Sequence, residues 1–140
     1  MAFIISSKFP VDTLPDVAVG VSIPFTGKAV FNQTYITKDQ IKSNLINYFL
    51  TNKGERYLNP GFGGNLRSTL FELITSDNLA GLETQLKEEI KMLFPTVVIE
   101  NLNVSSLPAD NLISVTLSYS VLNQPLDEIQ INFNTDGLQF

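Results

Sequence analysis

Residues 51–75, which join two segments of helical periodicity, are the feature that most constrains the fold. Their sequence is TNKGERYLNPGFGGNLRSTLFELIT. A plain connection between helices is short and polar, whereas this one mixes glycine, proline, large apolar residues and both signs of charge. Pro60-Gly61 is a turn dipeptide, because proline presets φ and glycine accepts a positive φ. The composition predicts an ordered loop.

Phe62 is the residue through which this loop is expected to reach a core. It is a large apolar side chain between Gly61 and Gly63. Because glycines have no side chain with which to hold the backbone in place, we predict that Phe62 is the internal anchor of the loop.

Apolar periodicity predicts three helices. The first begins at Thr37, where the sequence TKDQ matches a capping box, and ends at Gly54. A short helix follows Asn65, which can cap it. A second long helix covers residues 78–94, with its cap at residue 76 or 77, and ends at Pro95. The apolar stripes are Ile41, Leu45, Tyr48 and Phe49; Leu66, Leu70 and Leu73; and Leu79, Leu82, Leu86, Ile90 and Leu93. The charged residues Lys87, Glu88, Glu89 and Lys91 lie opposite the last stripe and are interpreted as a solvated face.

The C-terminal part reads as strands. Residues 96–104 alternate imperfectly, which predicts a bulge near Glu100, and residues 107–111 form a turn. Residues 113–121 and 129–133 alternate apolar and polar side chains, as half-buried strands do, with a turn at residues 123–125 between them. The fold class is therefore α+β: a small antiparallel C-terminal meander with two long helices and one short helix on one face.

Residues 1–36 have no helical period and are predicted to be an extended N-terminal arm or peripheral strand, beside an α+β domain at residues 37–140. Apolar side chains alternate from residue 17 to residue 25, which indicates extended backbone. Three interpretations remain open: a strand on the domain's own sheet, an arm that docks on a neighbouring subunit, and a flexible tail.

Composition excludes several function classes. Cysteine and histidine are both absent, so serine–histidine and cysteine–histidine nucleophile pairs are excluded and a zinc enzyme is disfavoured. A net charge of −5 with nine scattered basic residues argues against nucleic acid as a partner. No apolar run has the length of a membrane span, and the apolar start MAFII lacks a basic flank, so no signal peptide is expected. No cofactor or metal is expected.

Glycoside hydrolysis needs two carboxylates beside a cleft, one of them with a raised pKa. The candidates near the loop are Glu55, Glu72 and Asp77. Nearby arginines and lysine favour ion pairs, which lower a carboxyl pKa and make a poor acid. The protein is therefore not expected to be an enzyme.

The remaining function is binding to other proteins, for which the sequence offers two candidate surfaces. Charged residues of the loop surround the apolar residues Tyr57 and Phe62, which are predicted to be anchors, a mixture suited to protein contact. The strand at residues 127–134 is predicted to be a sheet edge, which can template another chain's strand. One of Gln130 and Ile131 should donate its N–H outward. The predicted contact residues are Lys53, Glu55, Arg56, Arg67 and Glu72, and the predicted edge strand comprises Ile129, Gln130, Ile131, Asn132 and Phe133.

The sequences TNKGER at residues 51–56, NPGFG at residues 59–63 and LFE at residues 70–72 resemble the signature of the baseplate wedge family of contractile-tailed phages. This family is also called GPW or "lysozyme-like" and reads T-x-K-G-E-R, P-x-F-G and L-F-E. The resemblance covers roughly residues 37–134. Many members continue with Glu-Pro-Arg where this chain has Glu72-Leu73-Ile74, so a contact made by that arginine does not carry over.

The resemblance implies a structural protein of the inner baseplate, present in the virion tail and assembled in the host cytoplasm. It implies binding to larger wedge proteins, proximity to the tail tube, and a sheet that tail sheath subunits extend by strand addition. Six copies per ring follow from the symmetry of such tails. Two alternatives stay open: a peptidoglycan-cleaving enzyme, and a baseplate component of a bacterial secretion system or other contractile injection device.

Overall fold

The structure is a computed structural model that describes residues 10–14, 16–23, 32–69, 76–110, 112–122, 124–134 and 137–139. Its helices are α1 (Thr37–Leu50), α2 (Leu66–Thr69) and α3 (Ser76–Leu93). Its strands are β1 (Gly20–Val21), β2 (Gln33–Thr34), β3 (Val97–Leu107), β4 (Leu112–Val121), β5 (Asp127–Asn134) and β6 (Gly137–Gln139). Short 3-10 turns lie at Pro10–Thr13 and Pro108–Asp110. The fold is α+β, as predicted.

The C-terminal strands form an antiparallel meander in the order β3-β4-β5-β6. Alternate side chains of β4 are buried, from Ile113 to Val121, because successive residues of a strand point to opposite faces. The register between β3 and β4 shifts between Ile99 and Asn101. The bulge predicted near Glu100 is therefore confirmed.

The prediction that residues 127–134 form the outermost strand is wrong for their C-terminal part. Strand β6 pairs with β5 through Asn132↔Gln139, Phe133↔Leu138 and Asn134↔Gly137. A strand of three residues is too short to show alternation, so periodicity missed it. The dipeptide Asp136-Gly137, a common hairpin signal, could have revealed it.

All three helices contribute to one core on the apolar face of the sheet. Leu45 and Phe49 of α1, Leu66 of α2, and Leu86 and Ile90 of α3 are buried in the same cluster as the inward side chains of β3, β4 and β5. Burying each such side chain stabilises the fold by roughly 1.5–3 kcal/mol. Leu70 and Leu73 of the predicted short helix lie outside the described residues.

Helix α1 begins at Thr37 as predicted, but not through a capping box. Its N-cap residue is Ile36, which offers no side-chain hydrogen bond. Instead the carboxylate of Asp12 accepts the N–H of Thr37 at 2.9 Å and its hydroxyl at 2.6 Å. Gln40, the predicted box partner, accepts a hydrogen bond from the hydroxyl of Thr34. Asp12, which lies 25 residues away, thus accepts the Thr37 N–H that the side chain of Gln40 was predicted to accept.

The end of α1 also differs from the prediction. The helix ends at Leu50, and Thr51 is extended, with φ −87° and ψ 131°. The Thr51 hydroxyl donates to the carbonyl of Asn47 at 2.6 Å. The chain therefore leaves the helix four residues before Gly54, which has a φ of 91° inside the following loop.

In the N-terminal segment, the described residues pack on α1. Strands β1 and β2 pair antiparallel as a separate two-stranded sheet, so the expectation of a strand on the main sheet is wrong for Gly20–Val21. The N–H of Ile23 donates to the Ser43 hydroxyl at 3.1 Å. Residues 1–9, 15 and 24–31 lie outside the described part, and the division at residue 36 stays a prediction.

Candidate functional site

The loop at residues 51–65, called here the signature loop, is held against the end of α1 by backbone hydrogen bonds. Gly64 N–H donates to the Tyr48 carbonyl at 2.9 Å and Asn65 N–H to the Thr51 carbonyl at 3.3 Å. Within the loop, Gly54 N–H donates to the Pro60 carbonyl at 2.7 Å. The first of these bonds satisfies a carbonyl in the last turn of α1, and all three order the loop.

Gly63 lies where only glycine fits. Its φ is 127°, and a Cβ atom there would overlap the carbonyl oxygen of Thr51. We expect Gly63→Ala to lower the free energy of unfolding by about 1–3 kcal/mol, because a side chain at this φ is strained. Gly61→Ala is the matched control, since no atom other than those of Gly61 and its two chain neighbours lies within 4 Å of the added methyl group. Urea denaturation of both variants checks this, and equal losses of stability would contradict it.

Phe62 is only 9% exposed and packs between the core and a cation. Its ring meets the buried Tyr48 ring edge to face, with centroids 5.5 Å apart. On the ring, the guanidinium carbon of Arg56 lies 3.7 Å from the centroid, a distance at which a cation is attracted to the ring face. This position supports the anchoring role of Phe62, which stays a prediction.

Lys53 attaches the loop to α3 rather than facing only solvent. Its ammonium lies 2.6 Å from Glu89 Oε1. The buried Tyr48 hydroxyl donates to Glu89 Oε2 at 2.6 Å, and Gln85 Nε2 donates to Oε1 at 2.9 Å. Glu89 was predicted to lie on a solvated face. That prediction is wrong, because the loop folds back over α3 and brings partners from both α1 and the loop to this carboxylate.

Burial and hydrogen bonding shift the pKa values of Tyr48 and Glu89 in opposite directions. Burial raises the pKa of Tyr48, and its hydrogen bond to Glu89 raises it further. Burial works to raise the pKa of Glu89, but hydrogen bonds from Lys53, Tyr48 and Gln85 outweigh it and hold that pKa below its ordinary value. The stability that Glu89 contributes is therefore present above the ordinary carboxyl pKa and is lost as the pH falls through the lowered one.

The predicted contact residues are only partly available to a partner. Glu55 accepts the N–H of Asn52 at 3.1 Å and its side-chain amide at 2.9 Å, and Lys53 is paired as described. Arg56 and Arg67 are exposed, the latter on α2. Glu72 lies outside the described residues.

The tip of the loop carries an exposed apolar pair that sequence reasoning missed. Tyr57 is 97% exposed and Leu58 is 94% exposed. The prediction of Tyr57 as an apolar anchor is therefore wrong. The turn at Pro60-Gly61 directs Phe62 inward, and the preceding pair points outward. The sequence signal for this exposed pair was the position of two large apolar residues between charged residues and a turn.

A groove of about 520 Å³ separates the loop from α3, and Asp77 supplies the one carboxylate of its described lining. Glu55 lies elsewhere, in the exposed part of the loop. In the part of the chain that the structure describes, no group of three or more acidic side chains is arranged to hold a metal ion. Nor is any described helix long and apolar enough to cross a membrane.

The direction of the backbone groups along β5 follows from one hydrogen bond at the other side of the sheet. The N–H of Val104 donates to Glu83 of α3 at 2.8 Å, so it points away from β4. Val104 opposes Val115, and Val115 opposes Ile131. The backbone groups of Val115 therefore face β5, where they bond to Ile131. Because backbone groups alternate sides along an antiparallel strand, the N–H of Ile131 points inward to β4 and the N–H of Gln130 points outward.

The N-terminal half of β5 borders a groove instead of another strand. On the N-terminal side of Asn132, no described strand pairs with the outer side of β5. The N–H of Glu128, which also points outward, is accepted by Asp127 at 2.9 Å. A groove of about 480 Å³ lies between this half of β5 and α1, with Lys42 and Ile46 in its wall. Gln130 therefore carries the outward donor of this half-edge.

Comparison with known proteins shows similarity to a phage protein and to solved structures of the same fold. No family model matches the chain. It is 30% identical over 91 residues to the baseplate wedge protein gp25 of Enterobacteria phage T4, covering 65% of this chain and 69% of that protein. Its fold is similar to the crystal structure of a putative tail lysozyme from Geobacter sulfurreducens, with a TM-score of 0.60, 20% identity, and coverage of 70% and 90%. It is also similar to a chain of the anti-feeding prophage baseplate, with a TM-score of 0.51, 18% identity, and coverage of 81% and 82%.

Proposed function

This chain belongs to the family of the baseplate wedge protein gp25, and from that membership we propose that it is a structural component of the baseplate of a contractile injection system. The observation that carries the proposal is the sequence identity to a wedge protein. The surfaces described above support it, because they offer an exposed aromatic, exposed arginines and an open half-edge of a sheet. Assembly of tails from a gene set lacking this chain tests it: baseplates should fail to form and should be restored when the chain is supplied.

The signature loop is proposed to contact the larger wedge proteins. Its tip presents Tyr57 and Leu58, with Arg56 nearby and Arg67 on the adjacent helix. Aromatic residues and arginine are the side chains most often responsible for binding energy in interfaces. Buried Phe62 and the pair of Lys53 with Glu89 hold this tip in one conformation, so that little entropy is lost when it binds.

Charge reversal of the two arginines is expected to weaken wedge binding more than folding. Arg56→Glu with Arg67→Glu should lower the free energy of unfolding only by about 0–1 kcal/mol for each exposed contact, and should reduce co-purification with wedge proteins. Lys87→Glu with Lys91→Glu is the matched control, because these exposed lysines of α3 give the same change in net charge. Unchanged co-purification of the arginine variant would show that the loop charges are only solvated surface.

The half-edge of β5 is proposed to receive a strand of the tail sheath. An added strand would lie in the groove beside α1 and bond to the outward carbonyl of Glu128 and to the outward N–H and carbonyl of Gln130. Each main-chain hydrogen bond of this kind contributes roughly 0.5–1.5 kcal/mol. The proposed edge excludes Asn132 and Phe133, which β6 already covers. Six copies per ring, close to the tail tube, are part of the same proposal.

Catalysis is not proposed. The likeness to a putative tail lysozyme concerns the fold, and the described groove beside the loop has one carboxylate where glycoside hydrolysis needs two. Incubation of the purified protein with cell walls separates the alternatives. Release of soluble fragments that Glu72→Gln or Asp77→Asn abolishes, with the fold retained, would establish an enzyme. Neighbouring genes separate a phage from another injection device, since capsid genes beside tube and sheath genes indicate a phage.

A further inference from the structure

The sheet has a second edge, and it is longer than the one proposed to bind sheath. Strand β3 has 11 residues, and in the described part of the chain it pairs only with β4. An edge strand presents backbone donors and acceptors that another chain can use. A protein whose function depends on strand addition at one edge needs a means of preventing it at the other.

Two features obstruct β3. The bulge at Glu100 interrupts the regular spacing of its backbone groups, and a bulge twists an edge away from pairing. Farther along the strand, Glu83 reaches from α3 and its Oε1 atom accepts the N–H of Val104 at 2.8 Å. A hydrogen bond to a carboxylate is stronger than one to a neutral carbonyl.

Glu83 hinders the addition of a partner strand to β3 in two ways. Val104 is only 4% exposed, so a partner strand could reach its N–H only by displacing this carboxylate. A second strand would present carbonyl oxygens to β3, and the negative charge of Glu83 repels their partial charge. The polar side chain of a packed helix therefore occupies the place that a partner's carbonyl would take.

We propose that Glu83 is a specificity-determining residue that closes the β3 edge and restricts strand addition to β5. The sheet then accepts an added strand at one edge only, so that each molecule binds one strand. This inference deepens the proposed strand docking and rests on it for the partner at β5, whereas closure of β3 can be tested without any partner.

The test compares self-association of the isolated protein and its variants by light scattering across a concentration series. Glu83→Ala should expose Val104 and lower the concentration needed for association about tenfold, the effect of one added hydrogen bond. Glu83→Gln should fall between Glu83→Ala and the unaltered protein, because its amide oxygen can still accept the N–H but the negative charge is lost. Glu88→Ala, an exposed position of the same helix, should change nothing.

A second variant keeps the test decisive if Glu83→Ala does not fold. Glu83→Asp retains the charge but is one methylene shorter, so it should lose the hydrogen bond and also associate. Ser106→Pro, two residues beyond Val104 and therefore also directed outward, should suppress the association of either variant. The proposal is wrong if the variant that folds, Glu83→Ala or Glu83→Asp, associates no more than Glu88→Ala does. Glu83 would then only link α3 to β3. That result would leave sheath docking at β5 untouched, because no sheath is present in the assay.

Discussion

Replacement of Phe62 by alanine is expected to lower the free energy of unfolding by about 3–5 kcal/mol, as truncation of a buried phenylalanine does. The ring is 9% exposed, packs on Tyr48 and is covered by Arg56, so its removal leaves a cavity and a cation without its ring. At this chain length the melting temperature should fall by roughly 10–17 °C. Leu58→Ala in the same loop is the control, because that side chain is 94% exposed.

Denaturation of the two variants in urea provides the measurement. Leu58→Ala should stay within about 0.5 kcal/mol of the unaltered protein, as surface substitutions do. A melting temperature that Phe62→Ala leaves unchanged would contradict the anchoring role. Phe62 would then belong with Tyr57 and Leu58 among the side chains available to a partner.

Patterns that repeat along the chain predicted the local structure well. Alternation from Ile113 to Val121 predicted β4, because each inward side chain of a half-buried strand must be apolar. The break in alternation at Glu100 predicted the bulge for the same reason. Thr37 was the correct start of α1, although the capping box from which it was predicted does not form.

Contacts between distant parts of the chain could not be predicted in this way. Asp12 binds Thr37 from 25 residues away, and Tyr48 binds Glu89 from 41 residues away. A local pattern shows that Asp12 and Glu89 are charged but not which groups they meet. The interpretation of Glu89 as solvated surface failed for this reason.

The candidate site shows the same limit. The charges of the signature loop were predicted as a contact surface, but Lys53 and Glu55 have partners inside the protein. The choice between Gln130 and Ile131 required the ladder register, and the bond from Val104 to Glu83 supplies it. The short strand β6, with little periodicity of its own, changed which part of β5 is open.

Gln130→Pro is expected to abolish docking of sheath on β5 while leaving the protein folded. Proline has no N–H and is tolerated at the outer side of an edge strand. Gln130 is exposed and its N–H points outward, whereas proline at Ile131 would break a bond to β4 and damage the sheet itself. Gln130→Ala is the control, because it removes the side chain and keeps the backbone donor.

The central claim is that this chain is a baseplate protein whose β5 edge receives the sheath. The most direct measurement is the length of sheath on tails assembled with Gln130→Ala or Gln130→Pro, seen by electron microscopy. Circular dichroism and co-purification with wedge proteins must first show that each variant folds and enters baseplates. We expect full-length sheath with Gln130→Ala and tail tubes without sheath with Gln130→Pro. Full-length sheath on baseplates that contain folded Gln130→Pro would contradict the claim.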